Sequence, residues 1–101
     1  RNIFQRRFMS ENQATSDLIL PAARKAMTAA GIEARDLDLI IVATDTPDYV
    51  SPSTAAVVQH KLGAERAGVF DLNTACSGFV TALDAAGKYI VADDRYSNIL
   101  V

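Results

Sequence analysis

Three features of the sequence predict an α/β chain built on a layered, parallel sheet. Helical and strand patterns alternate along the 101 residues in the order α-β-α-β-α-β, the arrangement that lays helices against one sheet. Leu39-Ile40-Ile41-Val42 is apolar without a break, as in a parallel strand covered on both faces. Val69, Phe70 and Leu72 form a second buried-strand pattern that gives way to helical spacing from Phe79 onward. The only cysteine, Cys76, therefore falls at a strand-to-helix junction.

In chain order, residues 1–12 read as a polar lead-in with a basic pair, Arg6-Arg7. Thr15 or Ser16 can cap a helix to about Ala30, with Asp17 in its first turn and Gly31 as terminator. The expected apolar stripe is Leu18, Ala22, Ala26 and Ala29-Ala30. Pro21 predicts a late start or a kink. The strand spans Asp38 to Ala43 and is followed by a loop, Thr44 to Pro52, that contains two prolines. Ser53 or Thr54 caps a second helix running to Leu62 and ending at Gly63. Its apolar side is Ala55, Val58 and Leu62, so His60 points away from it. Gly68 to Leu72 is the next strand. The third helix, Phe79 to about Ala92, is small and apolar on most of its surface, the pattern of a buried helix. Ser97 to Val101 reads as a third strand.

Bulk properties narrow the function classes. Half of the residues are hydrophobic and the net charge is −2, which fits one modest core and gives no basic footprint for nucleic acid. A single cysteine rules out an internal disulfide and a cysteine-rich zinc site, and suits a reducing cytoplasm. The apolar runs are too short to span a bilayer. Asp93-Asp94-Arg95 reads as a solvated turn, and no metal is assigned. The chain opens without Met and stops at Asn98-Ile99-Leu100-Val101, a strand pattern; residues 1–101 are read as an incomplete N-terminal domain of a longer protein.

The chemistry centres on Cys76. A sulfur at a helix N-terminus faces unpaired backbone N–H groups and the positive end of the helix dipole, and both favour an anionic nucleophile. The same N–H groups can hold the oxyanion formed when a thioester carbonyl is attacked. The competing reading is a lone cysteine acting as a small, inert hydrophobe.

Several segments together carry a resemblance. Gly31-Ile32, Asp38 to Thr44, Pro52-Ser53-Thr54-Ala55, Gln59, Leu62-Gly63 and above all Phe70-Asp71-Leu72-Asn73-Thr74-Ala75-Cys76-Ser77-Gly78-Phe79 resemble β-ketoacyl-acyl-carrier-protein synthase III, a condensing-enzyme family of the thiolase superfamily. Ile3 to Arg7 resembles the family's Gly-Ile-x-x-Arg segment, with Asn2 in place of the usual Gly. The resemblance implies a thiolase-like layered fold, α/β/α/β/α when complete, of which this chain is a partial N-terminal half. It implies that Cys76 takes an acyl group from acyl-coenzyme A, and that malonyl-acyl carrier protein then condenses with it in fatty acid biosynthesis. It further implies a cytoplasmic homodimer that holds no permanent cofactor. Other members of the superfamily use the same cysteine on different acceptors, and a non-catalytic α/β domain is the remaining alternative.

The resemblance also gives roles to other positions. The family's catalytic His and Asn lie in its later half, so His60 is read as a surface residue and Asn73 as a brace for the nucleophile loop. On that reading the chain alone could be acylated but would not turn over. Asp45, Ser51 and Phe79 are candidates for the acyl pocket. Asp45 replaces a small uncharged residue, and Ser51 stands where a bulky aromatic is common. A serine there leaves room for longer or branched acyl groups, unless Tyr49 or Val50 fills the gap. Arg6 is a candidate contact for coenzyme A phosphates or the acidic carrier.

Overall fold

The computed structural model describes residues 2–101; Arg1, part of the expected lead-in, lies outside the described residues. The helices are α1 (Thr15–Ala30), α2 (Thr54–Leu62) and α3 (Gly78–Ala92), and the strands are β1 (Leu39–Ala43), β2 (Gly68–Leu72) and β3 (Ile99–Leu100). They alternate as expected and form a three-stranded sheet ordered β2-β1-β3, with both pairings parallel.

β1 is central and takes both of its faces into the interior. Successive side chains of a strand point to opposite sides, so Ile40 and Val42 enter one cluster with Leu20, Met27, Ala55 and Val58 from α1 and α2. Leu39 and Ile41 enter a second cluster with Ala82 and Ala86 of α3. Two helices therefore cover one face of the sheet and α3 covers the other, which is why β1 needs an unbroken apolar run.

The helix ends are set by specific groups. The α2 N-terminus follows expectation, since Ser53 Oγ accepts from Ala56 N–H at 3.1 Å. Gly31 and Gly63 terminate α1 and α2 at φ 70° and 73°, left-handed values that a side chain would disfavour.

α1 departs from expectation in three ways. Its N-cap is Ala14, because Asp17 supplies the missing side-chain acceptor and takes the Ala14 N–H at 2.8 Å. That hydrogen bond, followed by the charge of Lys61 at 3.6 Å, holds the Asp17 carboxyl below its ordinary 3.8. The helix also neither starts late nor breaks at Pro21, which costs it a single ladder bond. Finally, the buried residues are Ser16, Leu20, Ala23 and Met27, while Leu18 is half exposed. The expected alanine stripe lies to one side, and the larger Leu20 and Met27 take the core.

The second face of the molecule also differs from expectation. β2 is an edge strand, so Val69, Phe70 and Leu72 are only half-buried. β3 is two residues long and half-buried. α3 buries Gly78, Ala82 and Ala86 and leaves Phe79, Val80, Leu83, Ile90 and Val91 exposed. A helix packed on one side of a narrow sheet can bury one stripe, whatever its composition. The sequence pattern of a helix buried all round is therefore met on one side.

Candidate functional site

The junction between β2 and α3 is built around a backbone in an unusual state. Ala75 has φ 49°, a left-handed value that costs a non-glycine residue on the order of 1 kcal/mol. Asn73 Oδ1 accepts the Ala75 N–H at 3.1 Å, so Asn73 does brace this loop. Residues Ala75–Ser77 then form a 3-10 turn that leads directly into α3. A hydroxyl cluster fastens the turn to the helix. Ser77 Oγ donates to Thr74 O at 2.9 Å, and Thr81 Oγ1 donates to Ser77 O at 2.9 Å.

Gly78 lets this turn sit close to the sheet. A Cβ built on it would stand 3.2 Å from Ala43 Cβ of the central strand, tighter than an ordinary contact. The small residue two positions after Cys76 therefore sets how near the thiol lies to the end of β1.

Cys76 occupies the middle of the turn with an exposed, unpaired thiol. The exposed side of α3 flanks the cysteine.

Electrostatics distinguish the three helix starts. On α1, Asp17 takes the Ala14 N–H and Asp48 Oδ1 takes the Ser16 N–H at 3.0 Å. On α2, the Asp71 carboxylate accepts from Thr54 N–H at 2.8 Å and Ala55 N–H at 2.7 Å. Among the described residues, α3 receives no side-chain cap and has no acidic residue in its first turn. The positive ends of α1 and α2 are answered by carboxylates. That of α3 is left facing Cys76 and whatever binds beside it.

Phe79 is the one other candidate brought to this junction. It lines an apolar groove of about 350 Å³ with Ala22, Ala26, Val42, Ala43 and Val101. The groove lies between α1 and α3, over the half of β1 that β3 does not reach.

Asp45 and Ser51 are exposed on the 44–53 loop, and Arg6 is exposed in the irregular lead-in. Tyr49 and Val50, beside Ser51, are exposed as well. His60 is exposed on α2. Asp93 is engaged by Arg95, whose guanidinium, closest at 2.6 Å, lowers its carboxyl to about 2. Among the described residues no three His, Cys, Asp or Glu side chains gather as a metal-binding group.

Sequence reasoning missed Asp48 and Asp71. A signal for Asp71 existed: an acidic residue inside an otherwise apolar strand is disfavoured there unless something pairs with it.

Known proteins resemble this chain in sequence and fold. The family described as 3-oxoacyl-[acyl-carrier-protein (ACP)] synthase III matches residues 70–101, the span that holds Cys76 and α3. A β-ketoacyl-[acyl-carrier-protein] synthase III of Clostridium perfringens is 46% identical over 101 residues, covering all of this chain and 31% of that protein. A synthase III of Natranaerobius thermophilus is 52% identical over 99 residues, 98% of this chain and 30% of its own length. Among solved structures, 3-oxoacyl-[acyl-carrier-protein] synthase III from Aquifex aeolicus superposes with a TM-score of 0.86 at 38% identity, over 92% of this chain and 30% of that one. A Xanthomonas campestris OleA variant superposes with a TM-score of 0.83 at 32% identity, over 88% of this chain and 27% of its own. The chain thus spans about 31% of the length of the curated relatives it matches, and its fold is the corresponding part of a thiolase-like α/β architecture.

Proposed function

Since the chain belongs to the 3-oxoacyl-[acyl-carrier-protein] synthase III family, we propose that it carries the nucleophile of a decarboxylative condensing enzyme of fatty acid biosynthesis, and that Cys76 is that nucleophile. The observation that carries this reading is the exposed thiol at the one helix start left without a carboxylate.

In the first step the Cys76 sulfur attacks the carbonyl carbon of an acyl-coenzyme A. A carbon–sulfur bond forms, and the carbonyl oxygen becomes an oxyanion, a charge that the positive end of α3 favours. Collapse expels the coenzyme A thiolate, which takes up a proton, and leaves an acyl thioester on Cys76. In the second step a malonyl group on acyl carrier protein loses carbon dioxide. The carbanion left behind attacks the acyl-Cys76 carbonyl. A 3-oxoacyl thioester leaves on the carrier and Cys76 returns as thiolate. No permanently bound cofactor enters these steps.

Side chains of this chain act at different points. Ala75 and Asn73 hold the turn, Gly78 sets its distance from the sheet, and Phe79 offers an apolar wall for the acyl chain. Asp45 and Ser51 belong to a loop whose first residue, Thr44, donates its N–H to Leu72 O at 3.1 Å, at the end of the nucleophile strand. The small Ser51 fits longer or branched acyl groups. Arg6 is proposed as a contact for coenzyme A phosphates. His60 is not assigned to decarboxylation, because it stands in solvent on α2. We therefore assign acylation, and not full turnover, to the 101-residue chain alone. Family membership also underlies the proposals of a homodimer and a cytoplasmic location. No described helix is long and apolar enough to cross a membrane.

A second reading keeps Cys76 and changes the acceptor. The likeness to OleA, and to a priming β-ketosynthase of a polyketide pathway with a TM-score of 0.81 at 34% identity, favours it as the alternative. Product analysis separates the two. The full-length protein is incubated with acyl-coenzyme A and malonyl-acyl carrier protein, and 3-oxoacyl-acyl carrier protein and carbon dioxide are measured. Formation of both in equal amounts is expected. Acyl-Cys76 without a carrier-bound product would overturn the synthase reading in favour of another acceptor.

A further inference from the structure

Asp71 interrupts the apolar run of β2, and both oxygens of its carboxylate are spent on α2. Oδ2 accepts the Thr54 N–H at 2.8 Å, and Oδ1 accepts the Ala55 N–H at 2.7 Å. Both donors belong to residues with no exposed surface. Hydrogen bonds to a charged acceptor are roughly twice as strong as neutral ones, and two oxygens on two donors also fix the plane of the carboxylate. Ser53 Oγ takes the next N–H, that of Ala56, at 3.1 Å. A residue of β2 thus shares with Ser53 the capping of the α2 start.

The place of this tie along β2 gives it a consequence for the cysteine. β2 is an edge of the three-stranded sheet, held by its ladder to β1. Successive side chains of a strand point to opposite faces, so Asp71 reaches α2 while Leu72 packs with the cluster under α3. The end of the strand is therefore pinned between two helices just before it leaves the sheet. The chain then enters the Cys76 turn through Asn73, whose Oδ1 accepts the Ala75 N–H, and through the left-handed Ala75. Those later contacts shape the turn internally. Asp71 fixes the point from which it departs.

We infer that Asp71 is a positioning residue for Cys76: by locking the end of β2 to the start of α2, it sets where the turn presents the thiol to an acyl donor. The inference rests on the acyl-transfer reading of Cys76. A purely structural cap would lower stability and leave the chemistry of the folded protein unchanged. A positioning residue lowers the rate constant of acylation at saturating donor, because a misplacement of about 1 Å can cost up to about a hundredfold.

The test uses the full-length protein as wild type, Asp71→Asn, Asp71→Glu and Ser53→Ala. Acylation of Cys76 by acetyl-coenzyme A is followed by mass spectrometry over a range of donor concentrations, at a temperature where circular dichroism shows each variant folded. Alkylation by iodoacetamide reports on the thiol itself. Asp71→Asn keeps the size of the side chain and a single oxygen acceptor, so one of the two bonds to α2 is lost. Its acylation rate constant at saturation is expected to fall about tenfold, within the range that misplacement produces. The half-saturating donor concentration and the alkylation rate should stay at their wild-type values. Asp71→Glu keeps both oxygens and the charge but moves them one methylene further out. The same fall is expected there, and it carries the test should Asp71→Asn not fold. Ser53→Ala weakens the same helix start without touching β2; it should lower the melting temperature while acylation keeps the wild-type rate. Unchanged acylation in a folded Asp71 variant, or an equal fall in Ser53→Ala, overturns the role of Asp71 alone. Absence of any adduct on wild type overturns the acyl-transfer reading and this inference with it.

Discussion

At the scale of single residues, the Cys76 turn is set by small groups around it more than by charged partners. Gly78 is the clearest case: its missing side chain admits the turn to 3.2 Å from Ala43 Cβ, measured from a built Cβ. Gly78→Val should cost about 1–3 kcal/mol by overpacking against the central strand and should slow acylation of Cys76. Thermal unfolding together with acylation kinetics checks both, and an unchanged melting temperature would contradict the contact. Asp38 gives a pH-dependent counterpart. The Asn98 and Ser97 N–H groups, at 3.0 and 2.9 Å, and the Arg66 guanidinium hold its carboxyl below the ordinary 3.8. Its contribution to stability is therefore complete above that value and is lost as pH falls through the lowered folded pKa. Asp38→Asn should be less stable than wild type at pH 7, and the difference should shrink as urea unfolding is repeated below about pH 4. Cys76 was legible from its place between a strand and a helix. Asp48 was not, because its partners are the backbone N–H of Ser16, 32 positions upstream, and the hydroxyl of Thr54, six positions on, pairings that no local spacing announces.

At the scale of elements, the order of helices and strands was readable because each has a local cause. The unbroken run of β1 reflects burial on both faces, and Ser53 and Gly63 punctuate α2 where capping chemistry requires. Ile41→Ala, at the centre of β1 and facing α3, should cost about 2–5 kcal/mol, checked by urea unfolding with an unchanged m-value. What could not be read was how much of each element is covered. α1 turns Leu20 and Met27 inward instead of its alanine stripe, because larger side chains gain more on burial. β2 looked buried from composition and is an edge of the three-stranded sheet that these 101 residues form. α3 has the composition of a core helix, yet Val80 and Val91 are 70% and 87% exposed. Val91→Ser should consequently leave the stability of the 101-residue chain within about 0.5 kcal/mol of its starting value.

At the scale of the whole molecule, the exposed side of α3 and the open half of β1 form one apolar region around the groove that Phe79 lines. Contiguous apolar surface of this kind marks a binding or packing face. The 101-residue chain should accordingly bind an apolar fluorescent dye, and Val80→Ser with Val91→Ser should reduce that signal at unchanged secondary structure. The same region borders the Cys76 turn; under the proposed acyl transfer, excluding water there would lengthen the life of an acyl thioester. The uncapped start of α3, beside two helices capped by carboxylates, is the observation on which the proposed role of Cys76 rests. The most direct measurement is intact-protein and peptide mass spectrometry of the full-length protein after incubation with acyl-coenzyme A at neutral pH, beside Cys76→Ala. A single acyl adduct on the peptide containing Cys76, absent from the variant, is the predicted result. A folded protein that acquires no adduct, or an adduct that persists in Cys76→Ala, would contradict it.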